Sequence, residues 1–214
     1  MTNIPNRPFT IEFIDPLFAV SIHLGLSHGL LNETWFHDWR PPIGNEWLTL
    51  ASFSLGMLTL VLAWIAYHSS IRKRPVKAFG RFSIDVSLVI LYGLLLVKYT
   101  NLKAVLSLLV IIYFLYVVWD VLKSKEYSSE YAQVGPWIKR YRRELITFGW
   151  FVAFVIIWWL YSKGHVANVG ALVLAYIATI AHRINKQVPI WGALGQGASR
   201  VFVKGNDDSE TINQ

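Results

Sequence analysis

The residues of this sequence that could carry chemistry are a few ionisable side chains inside long apolar stretches. A charged or titratable group is costly in the middle of an apolar helix, so each one is a candidate functional residue. The sequence predicts a polar network at one common depth, formed by Asp15, His68, Asp85, Asp120, His182 and Arg7. Two interpretations stay open. These groups lock helix ends together through ion pairs, or they form a proton- or ion-sensing cluster, since imidazole titrates near neutral pH.

A second candidate is His23, near the middle of the first apolar stretch, where its sequence neighbours supply no partner. The surrounding segment is rich in small residues, which allow close helix approach and predict packing against protein rather than lipid. Val20, Leu24, Ser27 and Leu31 recur at spacings of four, three and four residues, which places them on one helical stripe. Such a stripe beside His23 is typical of a helix-packing face or of the lining of a pore.

Other chemistries find less support. The sequence contains no cysteine, which excludes disulfides, thiolate metal sites and cysteine nucleophiles. It also lacks the HExxH and GxSxG patterns, so no catalytic or metal-binding residue is assigned. Bis-histidine haem ligation needs two imidazoles at equal depth on facing helices. His28 with His165, or His68 with His182, could meet that need, and a haem- or quinone-associated membrane subunit remains an alternative.

The elements that must position these residues are membrane-spanning helices. The 214-residue chain is 54% hydrophobic and 15% charged, against about 25% charge in a typical soluble domain. About 20 apolar residues cross the hydrocarbon of a bilayer. Six stretches approach that length: 11–31, 47–67, 82–97, 103–122, 146–161 and 166–184. The sequence therefore predicts an all-α polytopic membrane protein, with a six-helix transmembrane domain over 1–186 and a tail over 187–214.

Positive charge is distributed unevenly between the predicted loops. Of the 20 Lys and Arg residues, sixteen fall on one side of a six-span arrangement. The other four are Arg40, Lys98, Lys103 and Lys163. Because basic loops are retained in the cytoplasm, both termini are expected to be cytoplasmic. The same rule explains the net charge of +7, so the expected partner is membrane lipid and not nucleic acid. The segment WIKRYRREL is predicted to be a basic amphipathic helix on the anionic inner leaflet.

Two segments resemble a known channel family. Residues 13–22 read FIDPLFAVSI, and residues 64–68 read WIAYH. They resemble the F-S-D opening and the W-I-x-H-H helix ending of the six-helix FSD-motif potassium channels, the family of the lysosomal potassium/proton channel and its bacterial relatives. In this chain Ile14 replaces the motif serine, Pro16 follows the aspartate, and His23 stands where the family usually has threonine.

The resemblance implies a homo-oligomer, a tetramer in that family, whose first helices surround a central pore with apolar constrictions. It implies that Asp15 and His68 are partners at the cytoplasmic side and that the stripe beside His23 faces the pore. It also implies potassium as the permeant ion, no further cofactor, and the inner membrane of a bacterium. We therefore expect a channel for a small cation. The alternatives are the haem or quinone subunit and a membrane effector or structural protein without selective conduction.

Overall fold

The computed structural model describes residues 9–28, 31, 33, 38, 41–73, 76, 78–127 and 137–187, without the side chains of 9–12, 28, 72–73, 137–142 and 187. These residues form six helices and no strand, which confirms the all-α class. The helices are α1 (Phe9–His28), α2 (Glu46–Lys73), α3 (Phe79–Val97), α4 (Leu102–Glu126), α5 (Trp137–Ser162) and α6 (Asn168–Gln187). Arg7 and residues 188–214 of the predicted tail lie outside the described residues.

Short, locally specified connections make neighbouring helices antiparallel. Asn101 caps α4, because its side-chain oxygen accepts from the backbone N–H of Ala104 at 3.1 Å. Gly164 joins α5 to α6 with φ of 75°, a left-handed conformation that glycine adopts without strain. The connections at 98–101 and 163–167 are therefore tight turns between antiparallel helices.

Helix α2 contacts α1, α3, α4 and α6. Successive pairs from α3 to α6 also pack side by side, and α1 lies against α3 and α2. One end of the bundle holds the beginnings of α1, α3 and α5 and the ends of α2, α4 and α6. We call it the polar end, because the ionisable residues described below collect there.

Glycine permits the closest helix approach in the bundle. A Cβ added to Gly25 of α1 would lie 2.7 Å from Cδ1 and 2.8 Å from Cβ of Leu96 on α3. Gly56 of α2 meets the same leucine, with a Cβ placed 3.0 Å from its Cδ2. Nearby, the hydroxyl of Ser21 donates to the carbonyl oxygen of Val89 at 3.2 Å. The small residues of α1 thus allow it to sit directly on α3.

Four helices are long and apolar enough to cross a membrane: Glu46–Ile71, Phe79–Val97, Leu102–Glu126 and Arg143–Ser162. The apolar part of α1, Phe13–Ser27, is shorter. The fold is compatible with an integral membrane protein.

Two helix boundaries differ from the sequence-based prediction. The segment WIKRYRREL forms the first turns of α5, continuous with its apolar part, and is not a separate helix. It contains no glycine or proline and is rich in residues of high helix propensity, so nothing interrupts the helix between Trp137 and Ser162. At the other boundary α1 ends at His28, and the exposed Leu31 lies beyond it. The helical stripe predicted to include Leu31 is therefore described only as far as Ser27.

Candidate functional site

Helix α1 has two faces of opposite character. Its buried face consists of Ile14, Phe18, Ser21 and Gly25, spaced four, three and four residues apart, and it packs against α2 and α3. The opposite side carries Pro16, Ala19, Val20, His23, Leu24 and Ser27, which we call the α1 outer face; all but the half-buried Ser27 are exposed. The six residues follow a helical repeat.

The α1 outer face brings together four of the five residues predicted to line a pore. Val20 is 53% exposed and Leu24 is 37% exposed. His23 lies between them, exposed, and its imidazole has no hydrogen-bond partner within the part of the chain that the structure describes. Ser27 turns its hydroxyl back to the carbonyl oxygen of Leu24 at 3.5 Å. Within one copy of the chain, nothing described here covers this face.

At the polar end, Asp15 of α1 binds two residues of α2. Its carboxylate accepts from the indole N–H of Trp64 at 3.2 Å and lies 3.0 Å from Nε2 of His68. The other imidazole nitrogen of His68, Nδ1, is 3.0 Å from the carbonyl oxygen of Trp64. The expected contact between Asp15 and His68 is present, and it joins α1 to the last turns of α2.

A second cluster joins α3 to α4. Arg81 is fully buried and pairs with Glu126 at 2.9 Å. Asp85, four residues further along α3, accepts from the indole N–H of Trp119 at 2.7 Å. The guanidinium of Arg81 and the ammonium of Lys123 lie 4.7 and 4.8 Å from the Trp119 ring centroid, within cation–π range. Lys123 also donates to Ser70 of α2.

A third cluster joins α4 to α5 and α6. The carboxylate of Asp120 accepts from the hydroxyl of Thr147 and from the ammonium of Lys186, both at 2.6 Å. One turn deeper, the Tyr92 and Tyr116 hydroxyls are hydrogen-bonded, and Arg183 donates to Tyr116 at 2.5 Å. These contacts hold the polar ends of α3, α4, α5 and α6 together.

The opposite end has a smaller polar contact. Tyr99, which follows α3, donates its phenolic hydrogen bond to the carboxylate of Glu33 in the segment between α1 and α2. Burial, together with this carboxylate, raises the pKa of Tyr99 above its ordinary value. The phenol therefore remains protonated at neutral pH and continues to donate.

Of the predicted polar network, Asp15 with His68, Asp85 and Asp120 fall in three separate clusters, whereas neither ring nitrogen of His182 has a hydrogen-bond partner among the described residues. The carboxylate of Asp15 joins α1 to α2, and that of Asp85 joins α3 to α4. The carboxylate of Asp120 joins α4 to α5 and α6. Sequence reasoning missed the residues that complete these clusters: Trp119, Lys123 and Glu126 on α4, Thr147 on α5, and Lys186 on α6. A signal existed for α4, because Tyr116, Trp119, Asp120, Lys123 and Glu126 follow a helical repeat.

The structure shows the surroundings of two of the histidines considered as haem ligands, His68 and His182. Both ring nitrogens of His68 already contact Asp15 and Trp64, so this imidazole is engaged in the α1–α2 contact. His182 is fully buried beside the rings of Tyr113 and Tyr116. Among the described residues, no three His, Asp or Glu side chains converge as a metal-ligand set. The side chain of His28 lies outside the described residues.

No family model matches this chain, and neither a curated protein nor a solved structure shows significant similarity to it.

Proposed function

We propose that this protein is an oligomeric membrane channel that conducts a small, potassium-like cation. In this proposal all six helices span the bilayer, both termini are cytoplasmic, and copies of α1 surround a central pore. The membrane is the inner membrane of a bacterium, and a tetramer is the expected assembly. The polar end of the bundle faces the cytoplasm, in agreement with the excess of basic residues on that side.

The observation that carries the proposal is the exposure of His23 on the α1 outer face. An imidazole without a partner is costly against hydrocarbon, whereas it is tolerated against water or protein. His23 also stands well inside α1, with Phe13–Ser27 as the apolar segment around it. A face that combines this imidazole with Val20 and Leu24 is therefore better suited to a water-filled path between subunits than to lipid.

The chemistry of the α1 outer face favours selection of the permeant ion by its size and by the wetting of the pore. The described members carry no carboxylate, so cations are not attracted there by fixed negative charge. Val20 and Leu24 are apolar, and a narrow ring of such side chains excludes water until it widens. Passage is then controlled by pore diameter and by dewetting at these two positions.

The contacts of Asp15 support the same proposal. Asp15, Trp64 and His68 belong to the two segments that resemble the FSD-motif channels, and the three side chains meet at the polar end of α1 and α2. This cluster fixes the start of α1 while the opposite face of the helix stays uncovered. Such an arrangement anchors a pore helix without occupying the pore.

The experiment that tests the proposal is cation flux from vesicles containing the purified full chain. Vesicles loaded with potassium should lose it faster than matched vesicles lose sodium, and a chloride gradient alone should produce no current. Empty vesicles from the same lipid provide the control. Equal passage of potassium, sodium and chloride would instead indicate a non-selective membrane effector. No flux under any gradient, together with a haem absorption band in the visible spectrum, would favour the haem subunit.

A further inference from the structure

The third cluster of the polar end contains, one turn deeper than Asp120, a buried positive charge without a carboxylate partner among the described residues. Arg183 of α6 is 6% exposed, and its described contacts are a hydrogen bond to the Tyr116 hydroxyl and a cation–π contact with that ring at 5.1 Å. Its Nε atom has no hydrogen-bond partner in the part of the chain that the structure describes. No carboxylate of the described residues lies within ion-pair distance of it. A buried guanidinium in that state is strongly unfavourable unless something offsets its charge.

Other buried charges of the polar end have described partners, although one carboxylate oxygen of Asp85 and one of Glu144 have no hydrogen-bond partner among the described residues. Arg81 pairs with Glu126, and Lys186 pairs with Asp120. Lys123 and Asp85 share the Trp119 side chain, one over its ring and the other on its N–H. Arg183 differs from Arg81 and Lys186 because no carboxylate of the described residues lies within ion-pair distance of it.

Other buried polar atoms beside Arg183 also lack a hydrogen-bond partner among the described residues. The Tyr92 and Tyr116 hydroxyls have two protons but one contact with each other, and the Tyr116 oxygen already accepts from Arg183. His182 is fully buried, and within the described ranges neither of its ring nitrogens has a hydrogen-bond partner. Its ring lies 5.9 Å from the Tyr116 ring, so imidazole and guanidinium flank the same tyrosine. Buried donors of this kind normally have an acceptor.

We propose that a small monovalent anion of the size of chloride binds between Arg183 and His182, beside Tyr116. The anion accepts hydrogen bonds from the guanidinium Nε–H and the imidazole N–H, and its charge offsets that of Arg183. A water molecule would satisfy the donors but would leave the charge of Arg183 uncompensated. The site lies between α3, α4 and α6, away from the α1 outer face, and does not depend on conduction.

The test measures thermal unfolding of the purified full chain in potassium chloride and in potassium gluconate at equal ionic strength and pH. We expect chloride to raise the unfolding temperature by about 3 °C or more, in a saturable manner, since a ligand stabilises the state that binds it. Arg183→Gln should abolish the chloride effect, and Arg183→Lys should keep part of it. His182→Phe should raise the chloride concentration at half-effect several-fold. Lys125→Gln, which removes an exposed charge at the same end, should respond to chloride as the wild type does.

Wild-type protein with the same unfolding temperature in both salts would overturn the proposal and indicate water at the site. A chloride effect that persists unchanged in Arg183→Gln would also overturn it, because the ion would then act elsewhere. If Arg183→Gln does not fold, wild-type crystals grown in bromide decide the matter. An anomalous peak between Arg183 and His182 supports the site, and a well-ordered region without that peak contradicts it.

Discussion

Two helices at the surface of this bundle present outward faces of different composition. The exposed residues in the apolar part of α6 are branched and apolar: Val169, Val173, Leu174, Ile177, Ile180 and Ile184. The α1 outer face is shorter and mixes valine and leucine with an alanine and an unpaired histidine. In the proposed six-span arrangement the first composition suits lipid, because these six positions carry no polar side chain. The second suits water or a neighbouring subunit, so the two faces are expected to meet different surroundings.

The largest expected effect comes from the same polar substitution on each face. Leu24→Ser should raise potassium flux from vesicles by on the order of tenfold and weaken discrimination against sodium, because a polar ring is wetted more easily. Ile177→Ser on α6 should leave flux unchanged. If Leu24→Ser lowers the unfolding temperature and leaves flux at the wild-type level, Leu24 serves helix packing and the two faces do not differ in function.

The next effect concerns the pH dependence of flux. A positively charged imidazole next to the pore repels cations, so potassium flux should fall several-fold as pH is lowered from 8 to 5. His23→Ala should conduct at all these pH values with a flatter profile. His165→Ala, an exposed histidine in the turn before α6, is the matched control and should keep the wild-type profile. An unchanged profile in His23→Ala would place this imidazole away from the ion path.

The buried face of α1 can be tested by filling the space at Gly25. A Cβ there overlaps the Cβ of Leu96, not merely the far end of its side chain, so Gly25→Ala should destabilise the fold by about 1–3 kcal/mol and lower the unfolding temperature by several degrees. Gly149→Ala on α5 meets nothing within 4 Å and should be neutral or stabilising by up to about 1 kcal/mol. Equal behaviour of the two variants would show that α1 does not sit tightly on α3.

The smallest expected effect is the coupling between Asp15 and His68. Asp15→Asn and His68→Ala should be non-additive in unfolding free energy by about 0.5–1 kcal/mol; this modest value reflects the 41% exposure of the Asp15 side chain, which admits screening by solvent. Asp15→Asn combined with Lys125→Gln, two positions without a described contact, serves as the additive reference. Additive losses in both double variants would mean that Asp15 and His68 do not communicate.

The sequence predicted the helices better than it predicted their partners. The length of an apolar stretch and the shortness of a turn are local properties of the sequence. Hydropathy and turn residues could therefore predict six helices and the antiparallel order of successive helices. The spacing of Val20, Leu24 and Ser27 correctly placed these side chains on one face of α1, since helical periodicity alone decides that. Leu31, the last member of the predicted stripe, lies beyond the described residues of α1, which end at His28.

The partners of the buried charges depend on which helices are neighbours, and a single sequence does not specify this. Asp120 was expected within a common network with the other acids, whereas its partners are Thr147 of α5 and Lys186 of α6. The contact of α2 with α4, which brings Ser70 to Lys123, follows from three-dimensional packing and not from local pattern. The pairing of Arg183 with a tyrosine hydroxyl was inaccessible for the same reason.

The most direct test of the pore is the accessibility of the two outward faces to water, and the natural lack of cysteine makes it simple. Leu24→Cys and Ile177→Cys are each reconstituted and treated with a charged, membrane-impermeant thiosulfonate reagent, which attacks the thiolate that forms in water. The account predicts modification of Leu24→Cys at least about tenfold faster than modification of Ile177→Cys, with a change in potassium flux as the reaction proceeds. Equally slow modification of both variants would contradict a water-filled path along α1.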